Sequence, residues 1–340
     1  MSLLDATWPA IRRAIFTLDA ETAHERTLEA LASAPRLAGG ALGLMGGRGP
    51  DHPVEVAGLT FRSPIGLAAG LDKNGVAIPV WAALGFGFVE VGTVTAHAQP
   101  GNPKPRMFRL QNERALINRL GFNNEGSQAL AARLGTLKTS GQWPDVPVGV
   151  NVGKSKITPL DDAPQDYVQS IERLQGLADY FTINISSPNT PGLRKLQGQE
   201  HLRALLPQTV AAAKGTPVFL KIAPDLTDEA ISDVVTLAVG EGLSGLIATN
   251  TTIRRDLLQH DPDEAGGLSG RPLHDFAANR IEQVLACVEG RIPVVGVGGI
   301  ENAEQVRRLR ALGCAAVQVY TSFIYEGPGL PSRLNRQLSE

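Results

Sequence analysis

A (β/α)8 barrel carrying an N-terminal helical hairpin is the fold this sequence predicts, on three observations. Eight apolar runs follow one another from Pro64 onward: Ile65–Ala69, Phe88–Val94, Val146–Val152, Tyr180–Ile185, Val218–Ile222, Gly245–Thr249, Val294–Val297 and Ala315–Val319. Helical patterns separate them, at Gly75–Leu84, Glu125–Leu134, Ala163–Leu177, His201–Ala213, Asp228–Val239, His274–Val288 and Ala303–Leu312. Strands that are apolar throughout and alternate with helices indicate a parallel sheet buried on both faces. Polar and glycine-rich segments then fall at the carboxyl ends of those strands, the end where a barrel builds its site. A doubly wound open sheet is the alternative, but eight units in this order fit a closed barrel better.

Residues 1–47 stand apart from the barrel at 48–340. Trp8, Ile11, Ile15 and Leu18 share a helical stripe, with Arg12 and Arg13 off it. Asp19 suits the N-cap of a second helix, in which Ala23, Thr27, Leu28 and Leu31 share a face and whose end Pro35 follows. Two such helices could lie at a membrane surface or cap the main domain, and pattern alone favours the cap. Segments around Val54–Arg62 and Arg106–Ile117 suggest added hairpins, one at the barrel floor and one over its mouth.

Composition removes several function classes. With 32 basic and 34 acidic residues the net charge is −2, so nucleic acid is not an expected partner. A hydrophobic fraction of 43% supports a large core. Cys287 and Cys314 have neither metal-ligand nor redox spacing and suit buried positions in a reducing compartment. No apolar run approaches the roughly 18 residues of a membrane span, and no secretory signal is evident. The motifs of metalloproteases, P-loop proteins and α/β-hydrolases are missing, and no metal is expected.

The strand ends carry the chemistry. The fourth strand runs into FTINISSPNTPGL, Phe181–Leu193, which passes from a strand to a proline-stiffened loop of hydroxyls and amides. Small Ala69 and Gly70 after the first strand let a flat ring lie on bare backbone. Gly298 and Gly299 after the seventh, with the amides near Tyr320 and Thr321 after the eighth, form the usual place of a phosphate cradle. Lys73 and Lys221 end two strands, where a buried ammonium must be paired or functional. Asn118, Asn123, Asn151, Asn184, Asn189 and Asn250 all map to the mouth, a set suited to a planar molecule bearing amide and carboxylate groups.

With these residues assembled, the chain resembles the dihydroorotate dehydrogenase family, in its membrane-associated, quinone-dependent class 2 branch. The segments AAGLDKNG, NRLGFNN, NISSPNTPGLR, LKIAPD, TNTT, GGLSGRPL and GVGGI carry the resemblance, which spans essentially the whole chain. It implies an FMN-binding barrel that oxidises dihydroorotate to orotate in pyrimidine synthesis and passes the electrons to a respiratory quinone. Ser187 then corresponds to the catalytic base, where class 1 enzymes place cysteine. Serine is a poor base unaided, so a relay is expected, with Thr190 as part of it. FMN is expected against Ala69, Gly70, Leu71, Asp72, Lys73, Thr93, Asn151, Asn184, Lys221, Thr249, Gly270, Gly298, Gly299, Tyr320 and Thr321. Orotate is expected against Lys73, Asn118, Arg119, Leu120, Gly121, Phe122, Asn184, Asn189, Asn250 and Thr251, under a lid formed by Pro188–Leu196. The N-terminal segment resembles the class 2 quinone tunnel, with His24, Arg106 and Tyr320 in its pocket. The resemblance further implies a monomer attached peripherally to the cytoplasmic face of a bacterial inner membrane. Two rivals are a soluble flavin oxidoreductase using fumarate or NAD, and a catalytically silent flavin-binding barrel.

Overall fold

Three helices, not two, precede the barrel. The computed structural model describes residues 2–340. Helix α1 (Leu3–Ile15) starts at Ser2, whose hydroxyl accepts from Asp5 N–H while the Asp5 carboxylate accepts from Ser2 N–H. Helix α2 (Ala20–Ser33) is capped by Asp19, which accepts from the amides of Glu21 and Thr22. Pro35 follows α2 as expected, but it also opens α3 (Pro35–Gly46) from the first helical turn. The stripe drawn on α1 is also incomplete. Leu4 is buried, whereas Ile11 is 43% exposed and faces away from the barrel.

A hairpin of β1 (Val54–Val56) and β2 (Leu59–Phe61) leads into β3 (Ile65–Leu67), α4 (Ile78–Ala83) and β4 (Phe88–Val94). A second hairpin follows, β5 (Met107–Leu110) and β6 (Ala115–Asn118), then α5 (Ser127–Thr139), β7 (Val148–Val152) and α6 (Ala163–Leu174). Next come β8 (Tyr180–Asn184), a 3-10 turn at Leu193–Gln197, α7 (Gln199–Ala212), β9 (Val218–Ile222), α8 (Asp228–Gly240) and β10 (Gly245–Ala248). The chain then forms β11 (Gly267–Gly270), α9 (His274–Val288), β12 (Val294–Val297), α10 (Ala303–Leu312), β13 (Ala316–Val319), α11 (Thr321–Glu326) and α12 (Leu330–Leu338). Strands β3, β4, β7, β8, β9, β10, β12 and β13 pair in that order, all parallel, and close into a barrel. The expected fold is therefore observed. Strand β11 is an addition: GLSG pairs antiparallel with β6 and makes the mouth hairpin three-stranded. Cys314 is buried as expected, while Cys287 is half-buried.

Alternation along the strands sorts the interior into layers. The lowest holds Phe88, Tyr180, Phe219, Ile247, Val295 and Ala316, and the β1–β2 hairpin seals it from below with Val56 and Phe61. Phe61 stacks on Phe88 with centroids 4.1 Å apart. Each fully buried ring contributes roughly 1.5–3 kcal/mol of transfer free energy. Two residues further along the strands the interior becomes polar, with Glu90, Asn151, Thr182, Lys221 and Gln318. The site opens above that layer.

Candidate active site

The loops at the carboxyl ends of the barrel strands enclose one well, open at the mouth. Ala69, Gly70 and Lys73 form one wall after β3, with Thr93 beside them on β4. Asn184, Ser187 and Asn189 come from the end of β8, and Lys221 rises from β9. Thr249, Asn250 and Thr251 follow β10, while Asn118, Leu120, Gly121 and Phe122 descend from the mouth hairpin. Gly270, Gly298, Gly299, Tyr320 and Thr321 close the remaining side.

Amide bonds organise the Asn184 side of the well. Asn184 Nδ2 donates to Thr93 Oγ1 and to Asn151 Oδ1, each at 3.0 Å. Its Oδ1 accepts from Ser186 Oγ at 2.9 Å, and Ser186 Oγ accepts from Asn250 Nδ2 at 2.8 Å. Ser187 Oγ accepts from Asn189 N–H at 3.2 Å, which turns the hydroxyl toward the well. Asn189 Nδ2 reaches Asn118 Oδ1 at 3.3 Å and so ties that loop to the mouth hairpin. Three residues beyond Ser187, the buried Thr190 hydroxyl has no partner among the described residues.

Arg194 latches the segment over these residues. Its guanidinium donates to Ser186 O at 3.0 Å, Asp225 Oδ2 at 2.8 Å and Thr251 O at 3.1 Å. Leu193 and Leu196 sink into the core on either side. The segment expected as a lid therefore ends in an anchored 3-10 turn.

Glycine shapes the side suited to a phosphate. Gly299 has φ +61°, and a Cβ there would stand 2.6 Å from Gly270 O and 2.8 Å from His274 N. Gly298 and Gly299 thus admit no side chain, and it is their bare backbone that lines this side of the well. Across the well, Lys221 is buried and no described protein group bonds its ammonium. A cradle for an anion, a floor cation and a slot beside Gly70 fit a flavin nucleotide.

Four expected contacts do not reach the well. Leu71 is buried in the wall, and Asp72 turns into it, accepting from Val76 N–H, Ala77 N–H and Trp81 Nε1. Asn151 lies one layer below, and Arg119 bonds Glu264 while covering the Phe108 ring. His24 and Arg106 stand behind Lys73. Arg106 donates to Glu21 through Nε at 3.0 Å and Nη2 at 2.7 Å, and through Nη1 to the carbonyls of Pro100 and Asn102. Burial works to raise the Glu21 pKa, but bonds and charge from Arg106, then Lys104, carry it below the usual carboxylate range. Enclosure, then the nearby Lys73 ammonium, pushes the His24 pKa down to about 3, while Glu21 acts in the opposite sense. Burial, then the Arg106 charge, lowers Lys73 to about 8. Asn123 is absent from the lining as well; it packs against Gly101 with its Oδ1 buried.

Residues missed from the sequence include Ser269, whose hydroxyl accepts from Thr321 at 2.8 Å, and Gln318, which lines the well. Gln318 and Glu90 each interrupt an otherwise apolar barrel strand, and that interruption was the available signal.

Among the described residues no cluster of His, Cys, Asp and Glu could hold a metal, and no helix is long and apolar enough to cross a membrane. The family model described as dihydroorotate dehydrogenase matches residues 53–340. A Chloroflexus aurantiacus protein named dihydroorotate dehydrogenase (quinone) is 50% identical over 347 aligned positions, covering 96% of this chain and 94% of its own. A Gloeobacter violaceus protein of the same name is 49% identical, covering 96% and 92%. The crystal structure of an Eimeria tenella DHODH in complex with ferulenol superposes with a TM-score of 0.86 at 37% identity, over 94% of this chain and 90% of that one.

Proposed function

Because the chain belongs to the dihydroorotate dehydrogenase family, we propose that it oxidises (S)-dihydroorotate to orotate in pyrimidine (UMP) biosynthesis, with FMN as hydride acceptor and a respiratory quinone as final acceptor. The observation that carries this is convergence: Ser187, Lys73, Asn118, Asn184, Asn189 and Asn250 line the same well as the glycine cradle.

Gly298, Gly299, Gly270 and Thr321 hold the FMN phosphate, while Ala69, Gly70 and Tyr320 flank the ring and Thr93, Thr249 and Lys221 meet its edges. When bound, FMN supplies the hydride acceptor. Asn118, Asn184, Asn189, Asn250 and Thr251 bind the ring amides of the substrate, and Lys73 with the Leu120–Phe122 turn meets its carboxylate. Ser187 Oγ takes the proton beside the substrate carbonyl and passes it on through the Thr190 hydroxyl, whose unpartnered position supports that role. The Arg194 latch keeps water from the reacting atoms.

Residues 1–47 form the quinone tunnel, with His24, Arg106 and Tyr320 on the acceptor side of Lys73. Leu37 and Leu44, 76% and 91% exposed on α3, support peripheral contact with the cytoplasmic face of the membrane. The names of the relatives favour quinone over fumarate or NAD as acceptor.

An anaerobic absorbance spectrum of the FMN-loaded chain tests the proposal. Dihydroorotate should bleach the flavin and quinone should restore it. A flavin that stays oxidised would overturn the substrate, and recovery with NAD or fumarate but not quinone would overturn the acceptor. Failure to bind FMN after reconstitution would overturn the site assignment.

A further inference from the structure

Glu90, in the third position of β4, is fully buried inside the barrel. Asn151 Nδ2 donates to its Oε1 at 2.8 Å, and its Oε2 accepts from Gln318 Nε2 at 2.9 Å, Thr182 Oγ1 at 3.1 Å and Tyr180 Oη at 3.3 Å. These donors come from three other strands and all are neutral. They satisfy both carboxylate oxygens and bring no cation to them.

Strand alternation supplies the cation. Phe88 and Phe219 pack together in the floor layer, and Glu90 and Lys221 each lie two residues further along those strands, so both face the same lumen. The two make no direct ion pair. Burial draws the Lys221 pKa down, and Glu90 is the charge that opposes it. Tyr180, the other ionisable group in contact with Glu90, stays a neutral phenol, its pKa raised by burial and then by Glu90 itself. Lys73 stands at the mouth and answers to Arg106, Glu21, Glu25 and Asp72.

We propose that Glu90 is a positioning residue for the redox step: a buried counter-ion that keeps Lys221 an ammonium at the flavin's edge in both redox states. The inference rests on the flavin assignment of the well. A lysine charged throughout draws no proton when the flavin gains its two electrons. With a neutral side chain at position 90, Lys221 would be unprotonated beside the oxidised flavin. Reduction would then bring one solvent proton onto its Nζ, matching the negative charge gained by the ring.

The midpoint potential of bound FMN, measured against pH in wild type, Glu90→Gln and Lys221→Arg, tests this. One extra proton in a two-electron couple is a tenfold change per pH unit, about 30 mV. Glu90→Gln should be steeper than wild type by that amount across at least one pH unit. Lys221→Arg, whose guanidinium does not titrate, should parallel wild type. Parallel plots for wild type and Glu90→Gln overturn the inference alone. So does a wild type steeper than Lys221→Arg, a comparison that decides the matter even if Glu90→Gln fails to fold. A wild-type chain that binds no FMN overturns the flavin assignment and this inference with it.

Discussion

Ser187 accepts one hydrogen bond, from Asn189 N–H, and a serine so placed needs a path for the proton it takes. Replacing it with alanine should slow flavin bleaching by dihydroorotate roughly 100- to 10,000-fold, the range of a general base, with FMN still bound. A loss below about tenfold in stopped-flow absorbance would remove Ser187 from that role. Lys73 has a pH signature. Its pKa of about 8 lies below the ordinary lysine value of 10.5, so between those values the unfolded chain binds more protons than the folded one. Stability of the flavin-free chain should therefore rise with pH across that window, and Lys73→Met should lose the rise in urea titrations. Anions bind the protonated form, so orotate affinity should weaken by up to tenfold per pH unit on the alkaline side in wild type and stay flat in Lys73→Met. At this scale the sequence is only partly legible. AAGLDKNG marks a loop at the site, but side-chain direction within it depends on the fold. Asp72 caps the approach to α4 and leaves Lys73 facing the well.

Helix α3 escaped sequence analysis because Gly39, Gly40, Gly43 and Gly46 depress its helix propensity and read as a linker. Gly39 and Gly43 serve close packing on α4, and Gly46 lies against Leu4 of α1. A Cβ at Gly39 would come 3.3 Å from Pro79 O, and one at Gly43 would come 3.3 Å from Ala83 O. Strand β11 was hidden for a different reason: four residues with two glycines form a strand only because β6 presents an edge. Helix α2 is held to the barrel by a buried ion pair that spans 85 residues of sequence, which periodicity cannot reveal. Glu21→Gln leaves Arg106 buried without a carboxylate and should cost about 3 kcal/mol. Because the Glu21 pKa falls below its ordinary 4.5 on folding, the wild-type advantage is present above that value and fades as pH drops through the folded pKa. Thermal melts of the two chains at neutral and acidic pH should converge at the acidic end. A constant gap would assign the effect to packing.

The barrel itself was legible throughout, since every parallel strand is buried on both faces and reads as an apolar run. Its polar middle layer was the exception, and the role proposed for residues 1–47 rests on resemblance alone. Those helices are docked, not dangling: Trp8 Nε1 and Arg12 Nη1 both donate to Tyr325 O at 2.8 Å, and Arg109 covers the Phe16 ring. Deleting residues 1–47 should abolish quinone reduction while dihydroorotate still reduces a soluble dye through FMN. Unchanged quinone kinetics would sink the tunnel assignment. The Phe61–Phe88 seal also has a consequence for the order of events. A shaft closed at its foot admits cargo only from the top, so whatever rests deepest arrives first and departs last. If the well holds a flavin nucleotide below a pyrimidine acid as proposed, the nucleotide should bind before the acid and leave after it. Loss of flavin on dilution should then be slower with orotate bound than without it, and an equal rate would overturn that order.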